Sequence, residues 1–459
     1  MLDLMQSNAL ARELTGVVIR PDSDEYDAAR RVWNGMIDRR PELIVRSHTP
    51  SDVIAAVNFA RDNNLVLAVR GGGHNVAGNA VCDGGLVIDL SLMQDVSVDV
   101  ERRTAVAQGG CTWADVDRAT HAHGLATTGG LVSTTGIAGF TLGGGIGWLM
   151  RAYGLTCDNL RAADVVTADG RLVRASSTEN ADLLWGLRGG GGNFGVVVAF
   201  EYDLHPVSTV LGGLVLHPAS RSGAVLRFFR EFAATAPNEL TLLAACITAP
   251  PAPFVPTELH FQPAIAIAAC YAGDLSEGER QLQPLRAFGP PAADAIGPMP
   301  YPVLQSMLDE SAPAGMQNYW KSTFVDSLSD AAIDVLVEQA AGMRSPLAAL
   351  HLHHMQGAVS RIPPGATAFS NRDAQFVLNI VGTWPDPANT DANIAWVRAT
   401  YDAVAPHAAG LPYVNFMAEE GHDRVRAAYN PETYARLVDL KRKYDPSNLF
   451  RLNQNIRPD

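Results

Sequence analysis

The chain has 459 residues, 47% of them hydrophobic and 18% charged, with a formal net charge of −13 at pH 7. That length holds two or more domains with sizeable cores, and the acidic balance argues against nucleic acid or an anionic membrane as partner. Residues 1–14 lack a basic stretch followed by an apolar core, and no apolar run is long enough to span a bilayer, so a cytoplasmic protein is expected. The five cysteines (Cys82, Cys111, Cys157, Cys246, Cys270) are scattered without metal-ligand spacing and read as reduced, buried thiols; no metal site is expected.

Residues 15–48 read as a strand, a helix and a strand. Thr49 then caps a helix, with Pro50 in its first turn and Asp52 near the positive dipole end. Val53, Ala56, Val57 and Ala60 give that helix one apolar face. A strand beginning at Leu65 feeds Arg70-Gly71-Gly72-Gly73-His74-Asn75-Val76-Ala77-Gly78. A turn stripped of Cβ atoms lets backbone N–H groups converge on an anion such as a diphosphate. The next element is another strand, Leu86 to Leu90, so the loop lies between strands and is not a Rossmann fingerprint. Residues 96–108 alternate like paired strands, and Thr112-Trp113-Ala114-Asp115 opens a helix ending near Gly124.

A second glycine-rich region runs from Thr128 to Trp148. Leu131, Val132, Ile137, Leu142 and Ile146 interrupt it, unlike a flexible linker. Asp169-Gly170 turns a hairpin. A third cluster, Arg188 to Gly195, leads into the strand Val196 to Leu204. From residue 207 to about 404 the glycine clusters stop. Strands at 210–217, 240–248 and 264–271 alternate there with helices at 221–234, 275–288 and 330–343, and residues 251–256 and 290–302 read as proline-rich loops. Asn430 caps a last helix running to Tyr444, and 449–456 reads as an ordered tail.

These clusters and the tail, in this order, resemble the berberine-bridge-enzyme-like FAD-linked oxidases of the vanillyl-alcohol-oxidase superfamily. The likeness covers nearly the whole chain. It is carried by Arg70-Gly71-Gly72-Gly73-His74, Leu142-Gly143-Gly144-Gly145-Ile146-Gly147, Arg188 to Gly195, and Tyr444-Asp445-Pro446-Ser447-Asn448-Leu449-Phe450. The resemblance implies an α+β fold. A PCMH-type FAD-binding domain of two α+β subdomains (1–205) would be joined by a C-terminal segment (405–459), and an antiparallel sheet covered by helices (206–404) would bind substrate. It implies FAD contacts from Arg70, Gly71, Gly72, Gly73, His74, Asn75 and Gly78. From the second region it implies Gly129, Gly130, Val132, Thr134, Thr135, Gly136, Gly139, Leu142, Gly143, Gly144 and Gly147. Asn193, Gly195, Val196, Asn453 and Asn455 complete the implied set.

In the family, the histidine matching His74 is bonded to the flavin 8α carbon. A cysteine that makes a second bond in many relatives is here Val132, which implies one link only and a smaller substrate. Three residues on, at the family's oxygen gate, Thr135 has valine's shape and should admit O₂.

Many relatives take their base from the second tyrosine of a Tyr-x-Asn-Tyr motif. Here it reads Tyr413-Val414-Asn415-Phe416, and Phe416 cannot take a proton. Tyr413 and Asn415 remain candidate contacts. The strand Leu350-His351-Leu352-His353-His354 offers a replacement, since alternation puts His351 and His353 on one face; a phase shift of one would present His354 instead. Tyr319, Trp320 and Lys321 form a further candidate group, and His121 and His123 read as surface residues at a helix end.

The expected activity is hydride removal from a CH–OH or CH–NH carbon of a small organic substrate, with O₂ reduced to H₂O₂, in a monomer or homodimer. The missing tyrosine leans towards amine-type or activated substrates. A flavin dehydrogenase with another acceptor, and a catalytically silent flavin-binding protein, stand as the alternatives.

Overall fold

The computed structural model describes residues 4–459. Among these, the strands form sheets of four, five, two and eight members. In the four-stranded sheet, Leu43–Arg46 and Leu67–Arg70 both run parallel to Leu86–Asp89, and Val17–Ile19 pairs antiparallel at the edge. The helix Pro50–Asp62 links two of these strands. Its start is fixed by a reciprocal box: Asp52 N–H donates to Thr49 Oγ1 (3.3 Å) and Thr49 N–H donates to Asp52 Oδ2 (3.0 Å). Its face Val53, Ala56, Val57 and Ala60 is fully buried against the sheet.

The five-stranded sheet is antiparallel, with Val196–Asp203 between Thr104–Gln108 and Leu160–Val166. Between these sheets the second glycine region folds in part into a helix, Ile137–Leu142. The sequence marks it only as glycine-rich chain. Its glycine and β-branched content gives no helix signal, and packing of Ile137 and Leu142 into the core holds it.

The eight-stranded sheet is antiparallel throughout, with Leu240–Thr248, Ala349–His354, Phe376–Trp384 and Gln317–Val325 side by side. Helices Ser222–Thr235, Leu275–Ala287, Asp330–Ala341 and Thr390–Val404 bury their apolar stripes on one face. Its other face turns to the glycine-rich half. The expected loop at 290–302 is corrected: it holds two short strands, Ala293–Asp294 and Gly297–Pro300, which pair with Thr209–Pro218, and the start of a helix, Tyr301–Gln305. Proline is tolerated there because these are edge strands, where its missing N–H leaves no ladder bond unmade.

The tail is pinned by a buried ion pair. Lys441 Nζ meets Asp445 Oδ2 at 2.8 Å with both side chains fully buried, and also donates to the carbonyls of Asn193 and Phe450 (2.9 Å each). Asp445 in turn accepts from the N–H groups of Leu449 and Phe450. This ties the third glycine cluster to the C-terminal segment.

Candidate active site

The glycine-rich half and the large sheet enclose one cavity with an empty volume of about 2010 Å³, its open mouth included. Its first wall is mostly backbone. Gly71, Gly72, Gly73, His74 and Asn75 come from the first turn. Val132, Thr135, Gly136, Gly139, Leu142 and Gly143 come from the second region, and Gly195, Val196 and Asn453 from the third cluster and tail. Two glycine segments cross in contact here: a Cβ on Gly72 would stand 2.5 Å from Gly136 Cα. Only glycine at both positions permits that approach.

Several expected cofactor contacts lie behind this wall rather than on it. Alternation turns Leu67 and Val69 to the cavity and Arg70 away. The Arg70 guanidinium meets buried Asp89 at 2.5 Å and donates to the Ala29 and Arg31 carbonyls. Gly78 is closed off by Ile37, Gly130 faces Phe140 and Trp113, and Gly129 and Gly147 pack backbone to backbone. Gly144 sits beneath Phe369 and Tyr413. Asn193 clamps the tail, donating to the Gly190 and Gln454 carbonyls and accepting from Ile456 N–H. Asn455 is off the cavity lining, although its Oδ1 is buried without a partner. Thr134 does not line the cavity either, but its Oγ1 stands 3.4 Å from His74 Nε2.

His74 is held on two sides. Trp33 stacks on its ring at 4.5 Å with an 18° interplanar angle, and Thr134 meets its edge. Trp33 is itself fixed, with Nε1–H donating to the Ala312 carbonyl (3.0 Å) and its N–H to that of Gly73 (3.1 Å). Burial pushes the His74 pKa down to about 4, so the imidazole is neutral at physiological pH.

The second wall is made of side chains from the large sheet. His351 lies directly opposite Asn379, and Trp320 opposite Val381, all on the cavity face. His353 is two residues from His351, with ring centroids 5.9 Å apart, and stands 5.5 Å from the Phe416 ring. Burial lowers the His351 pKa to about 4; burial, and then neighbouring His351, lower His353 to about 3. His354 points to the other face, where its Nε2 meets Arg151 Nη1 at 3.0 Å. So the strand phase that presents His351 and His353 is the one the chain adopts. Lys321 likewise faces away, pairing with Glu420, and Tyr319 is absent from the lining. Tyr413 is set back as well. It is buried off the cavity, its Oη accepting from Gly145 N–H (2.8 Å) and Asn415 Nδ2 (2.9 Å). It shapes the glycine turn, while Asn415 and Phe416 reach the wall.

Sequence reasoning missed Trp33, Phe140, Asn379 and Thr383. Asn379 and Thr383 had a usable signal, being polar residues at even spacing in the apolar run 376–384. Trp33 had none.

A glycine cradle, a neutral imidazole at its rim and an unpartnered buried acceptor, Asn453 Oδ1, fit a bound FAD, and the fold and site define a flavin-dependent oxidoreductase. Residues 41–176 match the FAD binding domain family, and residues 412–457 match the family Berberine and berberine like. An FAD-linked oxidoreductase of Dictyostelium discoideum is 31% identical, covering 98% of this chain and 96% of that one. (R)-6-hydroxynicotine oxidase of Paenarthrobacter nicotinovorans is 31% identical, covering 99% of each chain. The crystal structure of 6-hydroxy-D-nicotine oxidase from Arthrobacter nicotinovorans superposes with a TM-score of 0.87 at 29% identity, covering 97% of this chain and 98% of that one. The chain belongs to the berberine-like family of FAD-linked oxidoreductases.

Proposed function

We propose that this protein is an FAD-dependent oxidase that takes a hydride from a CH–OH or CH–NH carbon of a small organic substrate and reduces O₂ to H₂O₂. One observation carries the reading: a single cavity joins His74 and the glycine wall to an imidazole pair on the facing sheet. Bound FAD would supply the two-electron acceptor and the outlet to O₂. The rest falls to the chain. His74, neutral and held in plane by Trp33, is the attachment residue for the flavin 8α carbon. Val132 on the wall leaves that as the single link, and Thr135, a side chain of valine's size on the same wall, lets O₂ in.

His353 takes the role that Phe416 cannot. Its Nε2 is buried without a partner beside the Phe416 ring, placed to accept the substrate's O–H or N–H proton, with the His351 ring 5.9 Å away. Asn415 donates to the Phe140 carbonyl (2.9 Å) and steadies the wall at the motif's third position. The test is reduction of the flavin under argon, then admission of O₂. Rapid reoxidation with one H₂O₂ per flavin is expected. Reoxidation by a quinone dye but not by O₂ would replace this reading with a dehydrogenase.

A further inference from the structure

His74 follows three glycines, whose backbone is the freest of any residue type, so the aim of its ring has to be set from outside the turn. Trp33 sets it on the face and Thr134 at the edge. Neither residue belongs to the large sheet, yet one segment of that half holds both. This segment, 308–318, leads from the helix Tyr301–Gln305 into the strand Gln317–Val325.

On the Trp33 side the hold is a run of hydrogen bonds. Trp33 Nε1–H donates to the Ala312 carbonyl (3.0 Å), Gly315 N–H donates to the Trp33 carbonyl (2.9 Å), and Gly35 N–H donates to the Met316 carbonyl (2.8 Å). The two backbones touch, since a Cβ on Gly35 would stand 2.1 Å from the Gly315 carbonyl oxygen. Asn34, buried between these contacts, ties three stretches of chain together. Its Nδ2 donates to the Val76 carbonyl in the loop of His74 (2.7 Å) and to the Asn318 carbonyl (2.9 Å), and its Oδ1 accepts from Asn318 N–H (3.0 Å).

On the Thr134 side the hold is a carboxylate. Asp309 accepts from Ser133 N–H on Oδ1 (2.7 Å) and from Ser133 Oγ on Oδ2 (2.6 Å), across 176 residues of sequence. Hydrogen bonds to an ionised acceptor are the strong ones, and two from one residue fix its orientation. Ser133 directly precedes Thr134, so Asp309 sets the backbone beside the edge contact.

Resting on the reading of His74 as the attachment residue, we infer that segment 308–318 completes the attachment site: FAD is joined to His74 only with this segment seated on Trp33 and Ser133, and Trp33, Asn34 and Asp309 are positioning residues for that bond. The joining takes one hydrogen from the 8α methyl and one from the imidazole N–H. The lone pair of the other His74 nitrogen makes the new N–C bond, and the two electrons and two protons pass to O₂, which leaves as H₂O₂. Groups already held in place react faster because their orientation is prepaid, so loosening the clamp should slow this bond without emptying the glycine cradle.

The test uses the full chain, made under riboflavin limitation and then given FAD in air. Bound flavin is measured before denaturation and attached flavin after acid precipitation, so the two are scored separately. Asp309 touches neither the His74 ring nor the cavity lining. Asp309→Ala should bind FAD to the wild-type level and attach it at least about tenfold more slowly. Asp309→Asn keeps an acceptor for Ser133 N–H and should recover part of the rate. Trp33→Phe keeps a ring over His74 without the Nε1–H to Ala312 and should be slowed as well. Attachment at the wild-type rate in Asp309→Ala, or a slowing no greater than its loss of bound FAD, would overturn the inference and leave His74 as the attachment residue. Trp33→Phe decides in the same way should Asp309→Ala fail to fold. A wild type that binds FAD and never attaches it would remove the attachment reading, and this inference with it.

Discussion

The two walls of the cavity are built in opposite ways. On the cofactor side, glycines bring main chain to the surface, and the precision comes from buried ties behind it: Lys441 to Asp445, Arg70 to Asp89, Tyr413 to Gly145 N–H. On the substrate side, three adjacent strands present side chains at fixed register, His351 beside Asn379 and Trp320 beside Val381. A backbone wall suits a ligand whose shape never changes. A side-chain wall can be altered one residue at a time without moving the sheet, and Phe416 in place of a tyrosine is such an alteration.

The contrast can be broken most forcefully from behind the cofactor wall. Lys441→Met would leave the Asp445 carboxylate buried without its cation, and the Asn193 and Phe450 carbonyls without their donor. A loss of about 3–5 kcal/mol is expected in denaturant unfolding, with FAD retention falling in parallel. On the wall itself, Gly72→Ala forces a methyl against Gly136 and should cost about 1–3 kcal/mol, lowering the flavin-to-protein ratio.

The facing wall should respond differently. His353→Ala is expected to lower kcat/KM by about 10²-fold or more while flavin content stays at the wild-type level. Loss of flavin with no separate loss of turnover would erase the distinction between the walls.

The smallest effect is a pH dependence of stability. Burial lowers the His353 pKa to about 3, and burial with the nearby Arg151 lowers His354 to about 2, whereas an unfolded histidine titrates near ~6.5. The unfolded chain therefore takes up these protons first. Their contribution is complete above about pH 6.5 and is lost as pH falls, by up to about 1.4 kcal/mol per histidine per pH unit. The unfolding midpoint should drop between pH 6.5 and 5, and less steeply in His354→Phe.

The same contrast governs what could be read before folding. The cofactor wall is spelled in contiguous glycines, so its segments and His74 were legible. Which glycines reach the cavity was not, because Gly129 and Gly147, or Gly72 and Gly136, meet only in three dimensions. The histidine strand was legible through its alternation. Trp33 was invisible, since its partners are His74 and the carbonyl of Ala312, 279 residues away. The setting of Tyr413 was not legible, because a motif position does not say which way a ring turns; burial of its hydroxyl on Gly145 decides that.

The central claim, that His74 is where the backbone wall takes hold of the cofactor, is tested most directly by acid denaturation of the purified protein beside its His74→Ala variant. The account predicts that yellow colour precipitates with the wild-type polypeptide and stays in solution for the variant. Colour released from wild type, or colour still attached to the variant, would contradict it.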